Sequence, residues 1–264
     1  MKPIIWLMIK MLKRRKLALI ALDFVRHDIN RRILKSVGPV VLFGPFKDLE
    51  IVEPSAWDAA SATASKILGL YEQEVLLEIQ KLGRFKTLIN IGAADGYYGF
   101  GMLKAKLCEE VIFFESNSES REQIINQNIS LELRNQVHPK ATEVSLNSVL
   151  SKINLKETLF IVDIEGGEYN LFSETLLNEI KTSTLILEIH EFLEPQFEKV
   201  EFEKRFLKNF EVKKVYGSSR VLPKLDILDK ISDNEKWLFV SEGRIQSMEW
   251  WIMTPKEIEP KYEN

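Results

Sequence analysis

Short apolar runs alternate along this chain with stretches of helical period. Thr87–Ile91, Cys108–Glu115 with its centre Val111-Ile112-Phe113-Phe114, Leu159–Val162 and Thr184–Ile189 read as buried strands, and Gln136–Val144 as a weaker one. Between them the pattern predicts helices over Tyr97–Lys106, residues 117–129 opened by Asn117 or Ser118, Asn147–Asn154, Tyr169–Ile180 and Phe197–Asn209. Two late strands, Phe210–Tyr216 and Glu249–Met253, enclose one more helix. Strands that alternate with helices give a mostly parallel sheet covered on both faces, a doubly wound α/β fold.

Ahead of this region lie three other pieces. Residues 4–34 are helical in pattern, with apolar Ile4–Met11 and Leu17–Val25 divided by Lys13-Arg14-Arg15-Lys16. Neither run is long enough to span a bilayer, and no small-residue cleavage site follows the first. The segment from 37 to 60 is punctuated by Gly38-Pro39, Gly44-Pro45 and Glu53-Pro54, which mark short extended pieces rather than a separate domain. Residues 61–82 form one amphipathic helix in which Ile67, Leu70, Tyr71, Val75, Leu76 and Ile79 recur at helical spacing. This divides the chain into a basic helical extension, 1–36, and a domain over 37–264, with a lead-in segment at 37–65 and a core at 66–254.

Composition sharpens the division. Of 264 residues, 45% are hydrophobic and 28% charged, enough apolar material for a sizeable core. The net charge is −3, but residues 1–36 hold ten Lys/Arg against two acids, a surplus of eight that leaves −11 on the remainder. The chain is a basic arm on an acidic body, and its net charge of −3 argues against broad nucleic-acid binding, so no nucleic acid is expected as a partner. The arm suits either an anionic membrane surface, as a peripheral contact on its inner face, or packing on the domain or on a second subunit of a homo-oligomer. The single cysteine, Cys108, rules out an internal disulfide and fits a cytoplasmic setting.

The chemistry gathers at strand ends. After the first strand comes Gly92-Ala93-Ala94-Asp95-Gly96, a turn with two glycines that opens a helix near Tyr97. Such a turn lets backbone approach a ligand and aims free N–H groups at it. Glu115, about twenty residues further on at the end of the second strand, stands where an acid accepts hydrogen bonds from a ribose diol. Asp163 and Glu165 share one direction at the end of the fourth strand, as do Glu188 and His190 at the end of the fifth. In a doubly wound sheet these ends meet at the carboxyl edge, where ligands bind. Glu165 or Glu168 also suits the start of the following helix, where the dipole favours an acid. Asp163, Glu188 and His190 are suitable metal ligands as well, but an acid–base site explains them equally, and no metal is assigned.

The runs Ile91-Gly92-Ala93-Ala94-Asp95-Gly96-Tyr97-Tyr98, Phe113-Phe114-Glu115, Asp163-Ile164-Glu165-Gly166-Gly167-Glu168 and Leu187-Glu188-Ile189-His190 resemble the FkbM-type S-adenosylmethionine-dependent methyltransferases. So does the lead-in Leu68-Gly69-Leu70-Tyr71-Glu72-Gln73-Glu74, and the resemblance covers about residues 66–192. It implies the class I methyltransferase (Rossmann-like) fold, mostly parallel with a late antiparallel strand. It implies S-adenosyl-L-methionine as cofactor and O-methylation of a hydroxyl on a sugar, polysaccharide or natural product, so a small-molecule or glycan acceptor. The cofactor would be held by Asn90, Gly92, Ala93, Asp95, Gly96, Glu115, Ser116 and Asp163. His190 is the candidate base, with Asp163 and Glu188 to orient it or to bind the acceptor hydroxyl. The chain departs from the family pattern at Asn90, Ser116, Asn147 and Ile161, where the family more often has Asp, Pro, Asp and Lys. These departures leave an inactive scaffold with the same fold as the alternative. A dehydrogenase would need a hydride-transfer apparatus, and no Tyr-x-x-x-Lys pair is present. The Asn/Asp-Pro-Pro-Tyr element of many N-methyltransferases is absent too.

Overall fold

The computed structural model describes residues 2–51, 62–133, 135–190, 198–217, 220–242 and 248–256. The expectations for Glu53-Pro54, for the first residue of the 61–82 helix and for Phe197 lie outside the described residues.

Among the described residues, seven strands form one sheet: β1 (Thr87–Ile91), β2 (Glu110–Phe114), β3 (Gln136–His138), β4 (Thr158–Val162), β5 (Thr184–Ile189), β6 (Phe210–Tyr216) and β7 (Glu249–Pro255). Their order is β3-β2-β1-β4-β5-β7-β6. The pairs β1–β2, β2–β3, β1–β4 and β4–β5 are parallel, whereas β7 runs antiparallel to both β5 and β6. This is the class I methyltransferase topology, with the late reversed strand expected. Successive strand residues enter opposite cores. Leu88, Ile161 and Ile186 join the cluster on one face, while Ile89, Phe160 and Leu187 join the cluster on the other. Being covered on both sides is why β4 reads as an unbroken apolar run after Thr158, and β1 as one interrupted after Thr87 only by Asn90.

The helices are α1 (Lys2–Val37), α2 (Thr63–Ile67), α3 (Gln73–Leu82), α4 (Tyr97–Lys104), α5 (Ser118–Ser130), α6 (Glu143–Leu150), α7 (Glu168–Leu171), α8 (Glu174–Glu179), α9 (Lys199–Leu207) and α10 (Asp233–Val240). Three differ from the periodicity. The single helix expected over 61–82 is two, because Gly69 passes so close to Phe43 that a Cβ there would lie 1.9 Å from the Phe43 carbonyl oxygen, and Glu72 takes a left-handed φ of 45°. The helix expected over Tyr169–Ile180 is likewise divided. Phe172 leaves the helix, and Ser173 starts a new one by accepting from the Leu176 N–H at 3.1 Å. The weak strand to Val144 stops at His138, because Thr142 and Ser145 form a reciprocal capping box that starts α6 at Glu143 rather than Asn147.

The C-terminal part of α1 packs on the domain. Ile29 and Ile33 are buried, Asn30 Oδ1 accepts from the Ala64 N–H at 2.9 Å, and Arg32 pairs with Glu235 of α10. Further towards its N-terminus, Leu17, Leu19, Ile20 and Phe24 are exposed. Among the described residues no helix is long and apolar enough to cross a membrane.

Candidate functional site

Strand order reverses between β1 and β4, since successive strands run outward from β1 to β3 on one side and from β4 to β5 on the other. Their carboxyl ends therefore diverge into a crevice, the place where ligands bind in open α/β sheets. Gly92 makes the crevice narrow at its base. Its φ is +77°, and a Cβ built on it would sit 1.6 Å from the Asp163 carbonyl oxygen. No other residue type fits there without separating the two strand ends. The turn then rises through Ala94, in a left-handed conformation with φ 47°, and its N–H donates to Glu115 Oε2 at 2.8 Å.

Glu115 is anchored on both oxygens, because Oε1 accepts from the Asn117 N–H at 2.7 Å. An ionised carboxylate offers about four lone-pair directions, so these bonds fix its orientation while leaving acceptor capacity. It lines a cavity of about 600 Å³ together with Gly92, Ala94, Ser116, Asp163, Glu165 and Asn170.

Four other residues expected at the cofactor do not line this cavity: Asn90, Ala93, Asp95 and Gly96. Asn90 is buried within β1. Gly96 supplies the left-handed N-cap of α4, where a Cβ would lie 2.5 Å from the Phe100 ring. Asp95 faces the protein interior: one oxygen pairs with Lys66 Nζ at 2.7 Å and the other accepts from the Tyr97 N–H at 3.1 Å. Its role in this geometry is to tie α2 to the turn and to begin α4. Tyr97 and Tyr71 flank the same ammonium, with ring centroids 5.3 and 5.0 Å away.

The second cluster is assembled by β4, the turn after it, α7 and the end of β5. His190 is almost fully buried and faces four carboxylates. Its Nδ1 is 3.3 Å from Glu168 Oε1, and its Nε2 is 3.5 Å from Asp163 Oδ1, 3.5 Å from Glu165 Oε2 and 3.7 Å from Glu188 Oε2. The expected convergence of Asp163, Glu165, Glu188 and His190 is present, and it gains Glu168. Glu168, wholly buried, is the frame: it accepts from the His190 N–H at 3.0 Å and from the Gly166 N–H at 2.9 Å. Burial alone pushes the His190 imidazole down, but the carboxylates of Glu168, Glu188 and Glu165 outweigh it and hold the pKa above the ordinary histidine value. His190 does not line the cavity; Asp163 and Glu165 do.

Sequence reasoning missed the far wall, formed by Lys140, Ala141, Thr142 and Glu143 at the start of α6, and Tyr71 above the turn. The signal for the first was present, since Thr142 and Ser145 spell a helix start that places backbone N–H groups at the crevice.

No protein-family model matches this chain, and no curated protein sequence matches it. Solved structures do. Sp1610 of Streptococcus pneumoniae, in complex with S-adenosyl-L-methionine, is similar over 72% of this chain and 76% of its own, with 10% identity and a TM-score of 0.46. The tRNA methyltransferase TrmK of B. subtilis is similar over 70% and 66%, with 11% identity and a TM-score of 0.42. A precorrin-6y methyltransferase from Geobacter metallireducens is similar over 78% and 94%, with 14% identity and a TM-score of 0.41. These likenesses concern the fold, which the strand order itself defines. They do correct one expectation: a small-molecule or glycan acceptor with nucleic acid excluded does not stand, because a tRNA methyltransferase is among the matches. The physical fault lay in reading net charge, a property of the whole surface, as a statement about every patch on it.

Proposed function

We propose that this chain is an S-adenosylmethionine-dependent methyltransferase that acts on a protic heteroatom of its acceptor. The observation that carries the reading is the crevice at the switch point: Gly92, which lets the ends of β1 and β4 meet where a Cβ would collide with the Asp163 carbonyl, lines one cavity with a Glu115 carboxylate fixed by the Ala94 and Asn117 N–H groups. The cavity volume lies within the range of small-molecule sites. Glu115 would accept from the ribose hydroxyls, with Gly92, Ala94 and Ser116 offering close backbone approach. The motif Asp163-Ile164-Glu165-Gly166-Gly167-Glu168 at the adjoining strand end supports the narrower FkbM-type reading.

When bound, the cofactor supplies a methyl group activated by its sulfonium centre. What is left to the protein is to position the acceptor and to take its proton. Asp163 is placed for both, since it reaches the cavity while its neighbours hold it from behind. His190 and Glu188 act as positioning residues: the imidazole, fixed through Glu168, sets the direction of the Asp163 carboxylate.

Calorimetry of the full chain with S-adenosylmethionine tests the reading. We expect saturable binding at one equivalent, and Glu115→Ala should weaken it by about 1–3 kcal/mol. No heat and no thermal shift with the native protein would overturn it. Cofactor binding without methyl transfer to any hydroxyl or amino acceptor would point instead to a scaffold that keeps the fold.

A further inference from the structure

The carboxylates around the His190 imidazole are placed as ligands to a cation would be. Four carboxylates surround it, two of them, Glu168 and Glu188, buried. Carboxylates gathered this closely destabilise one another unless a cation offsets them.

The geometry on the Nε2 side is that of a metal centre. Two ligand atoms each about 2.1 Å from an ion lie about 3.0 Å apart at a right angle and about 3.4 Å apart at the tetrahedral angle. His190 Nε2 is 3.5 Å from both Asp163 Oδ1 and Glu165 Oε2. One ligand atom from each of the three residues falls within 4.8 Å of the others, so the set closes on an ion with small side-chain adjustments. The Nδ1 side supplies the other half of such a centre. A metal-bound imidazole commonly gives its second N–H to a carboxylate, which fixes the tautomer and ring plane. Glu168 Oε1 stands 3.3 Å from Nδ1, and the carboxylate is itself held by two backbone N–H groups, from His190 to Oε1 and from Gly166 to Oε2. A proton kept on Nδ1 by Glu168 turns the Nε2 lone pair towards Asp163 and Glu165, where all three can ligate one cation.

We propose that Asp163, Glu165 and His190 bind one divalent first-row metal ion, with the Glu168 carboxylate orienting the imidazole from behind. Two carboxylate oxygens and one imidazole nitrogen suit an ion of the Mn²⁺, Fe²⁺ or Zn²⁺ type better than a thiophilic one. Three protein ligands leave coordination positions open, and they open onto the cavity, since Asp163 and Glu165 line it while His190 closes the inner side. The binding site needs no methyl donor. Its role, which rests on the methyltransferase reading, is to take the acceptor oxygen or nitrogen as a ligand and lower the pKa of the proton it carries.

The test uses the full chain stripped with a chelator and titrated with Mn²⁺ alone, with free Mn²⁺ followed by its paramagnetic resonance signal. We expect one equivalent to disappear from solution in a saturable manner. Glu165→Gln is the principal variant, because that side chain is 66% exposed and its loss leaves the core untouched. It should weaken binding at least about 10-fold, and His190→Gln and Glu168→Gln by about 10–100-fold, each checked for native circular dichroism. With Co²⁺ in place of Mn²⁺, a visible absorption band should form in the native protein and change in His190→Gln. Absence of saturable Mn²⁺ uptake overturns the proposal, as does native affinity in both Glu165→Gln and His190→Gln. An imidazolium then serves as the offsetting cation. Because S-adenosylmethionine is absent from the titration, ion binding without cofactor heat leaves the metal site standing and removes the methyltransferase reading. The reverse result does the opposite.

Discussion

Replacing Gly92 with alanine addresses the whole construction of the crevice with one methyl group. The glycine has φ +77°, and the added Cβ would lie 1.6 Å from the Asp163 carbonyl oxygen and 3.0 Å from Ile164 Cγ2. Contact at van der Waals distance requires the turn to move away from β4 by roughly 1.5–2 Å. That movement opposes the hydrogen bonds that hold the turn, from Gly92 N–H to Phe114 O at 2.8 Å and from Asp163 N–H to Ile91 O at 2.9 Å. Left-handed backbone costs an L-residue about 1–2 kcal/mol, and overpacking costs about 1–3 kcal/mol more, so the expected destabilisation is about 2–5 kcal/mol. The functional loss should exceed the loss of stability. Glu115 and Asp163 sit on opposite sides of the displaced turn, and a misplacement of about 1 Å costs on the order of 10²-fold in rate. Urea denaturation gives the first quantity. Cofactor calorimetry below the unfolding transition gives the second, as weakened or absent binding in a still-folded protein. Native cofactor affinity in Gly92→Ala would refute the reasoning, because it would mean that the ligand does not depend on the approach of β1 to β4.

Two further expectations follow from buried groups. Lys66 and Asp95 are paired at 2.7 Å with both side chains inside, so Lys66→Met strips the ammonium from a buried carboxylate and should cost about 3–5 kcal/mol in denaturant unfolding, most of it recovered by adding Asp95→Asn; a change within about 0.5 kcal/mol would show that the pair is not what ties α2 to the turn. Cys108 is buried, and burial, with Glu110 nearby, pushes its thiol from an ordinary value of 9.0 up to about 12. The folded state therefore keeps the proton that the unfolded chain releases, so this group's contribution to stability is complete below about pH 9 and declines as pH rises towards 12. At pH 8 a thiol reagent should modify the native protein far more slowly than the urea-unfolded protein, and equal rates would contradict the burial.

The order of strands and helices, and the edge of the sheet at which the acids and His190 gather, follow from the residue pattern alone. Apolar runs such as Leu159–Val162 can be stable only when covered on both sides, and alternation with helices then gives a parallel sheet whose strand ends meet. The same logic places Glu115, Asp163, Glu188 and His190 at one edge. How the side chains divide there depends on packing between distant parts of the chain. Asp95 stands in the turn beside Gly92, yet it faces inward because Lys66, distant in sequence, lies beneath it. Glu168 reads as an acid at a helix start, yet it spans from the β4–α7 turn to the end of β5 and holds His190. The break in the 61–82 helix likewise depends on Phe43 reaching Gly69. Periodicity reports which face of an element is buried, because burial repeats with the element's own geometry. It carries no record of which distant group occupies the other side of a contact, and pairing across the chain is what turned these strand ends into a site.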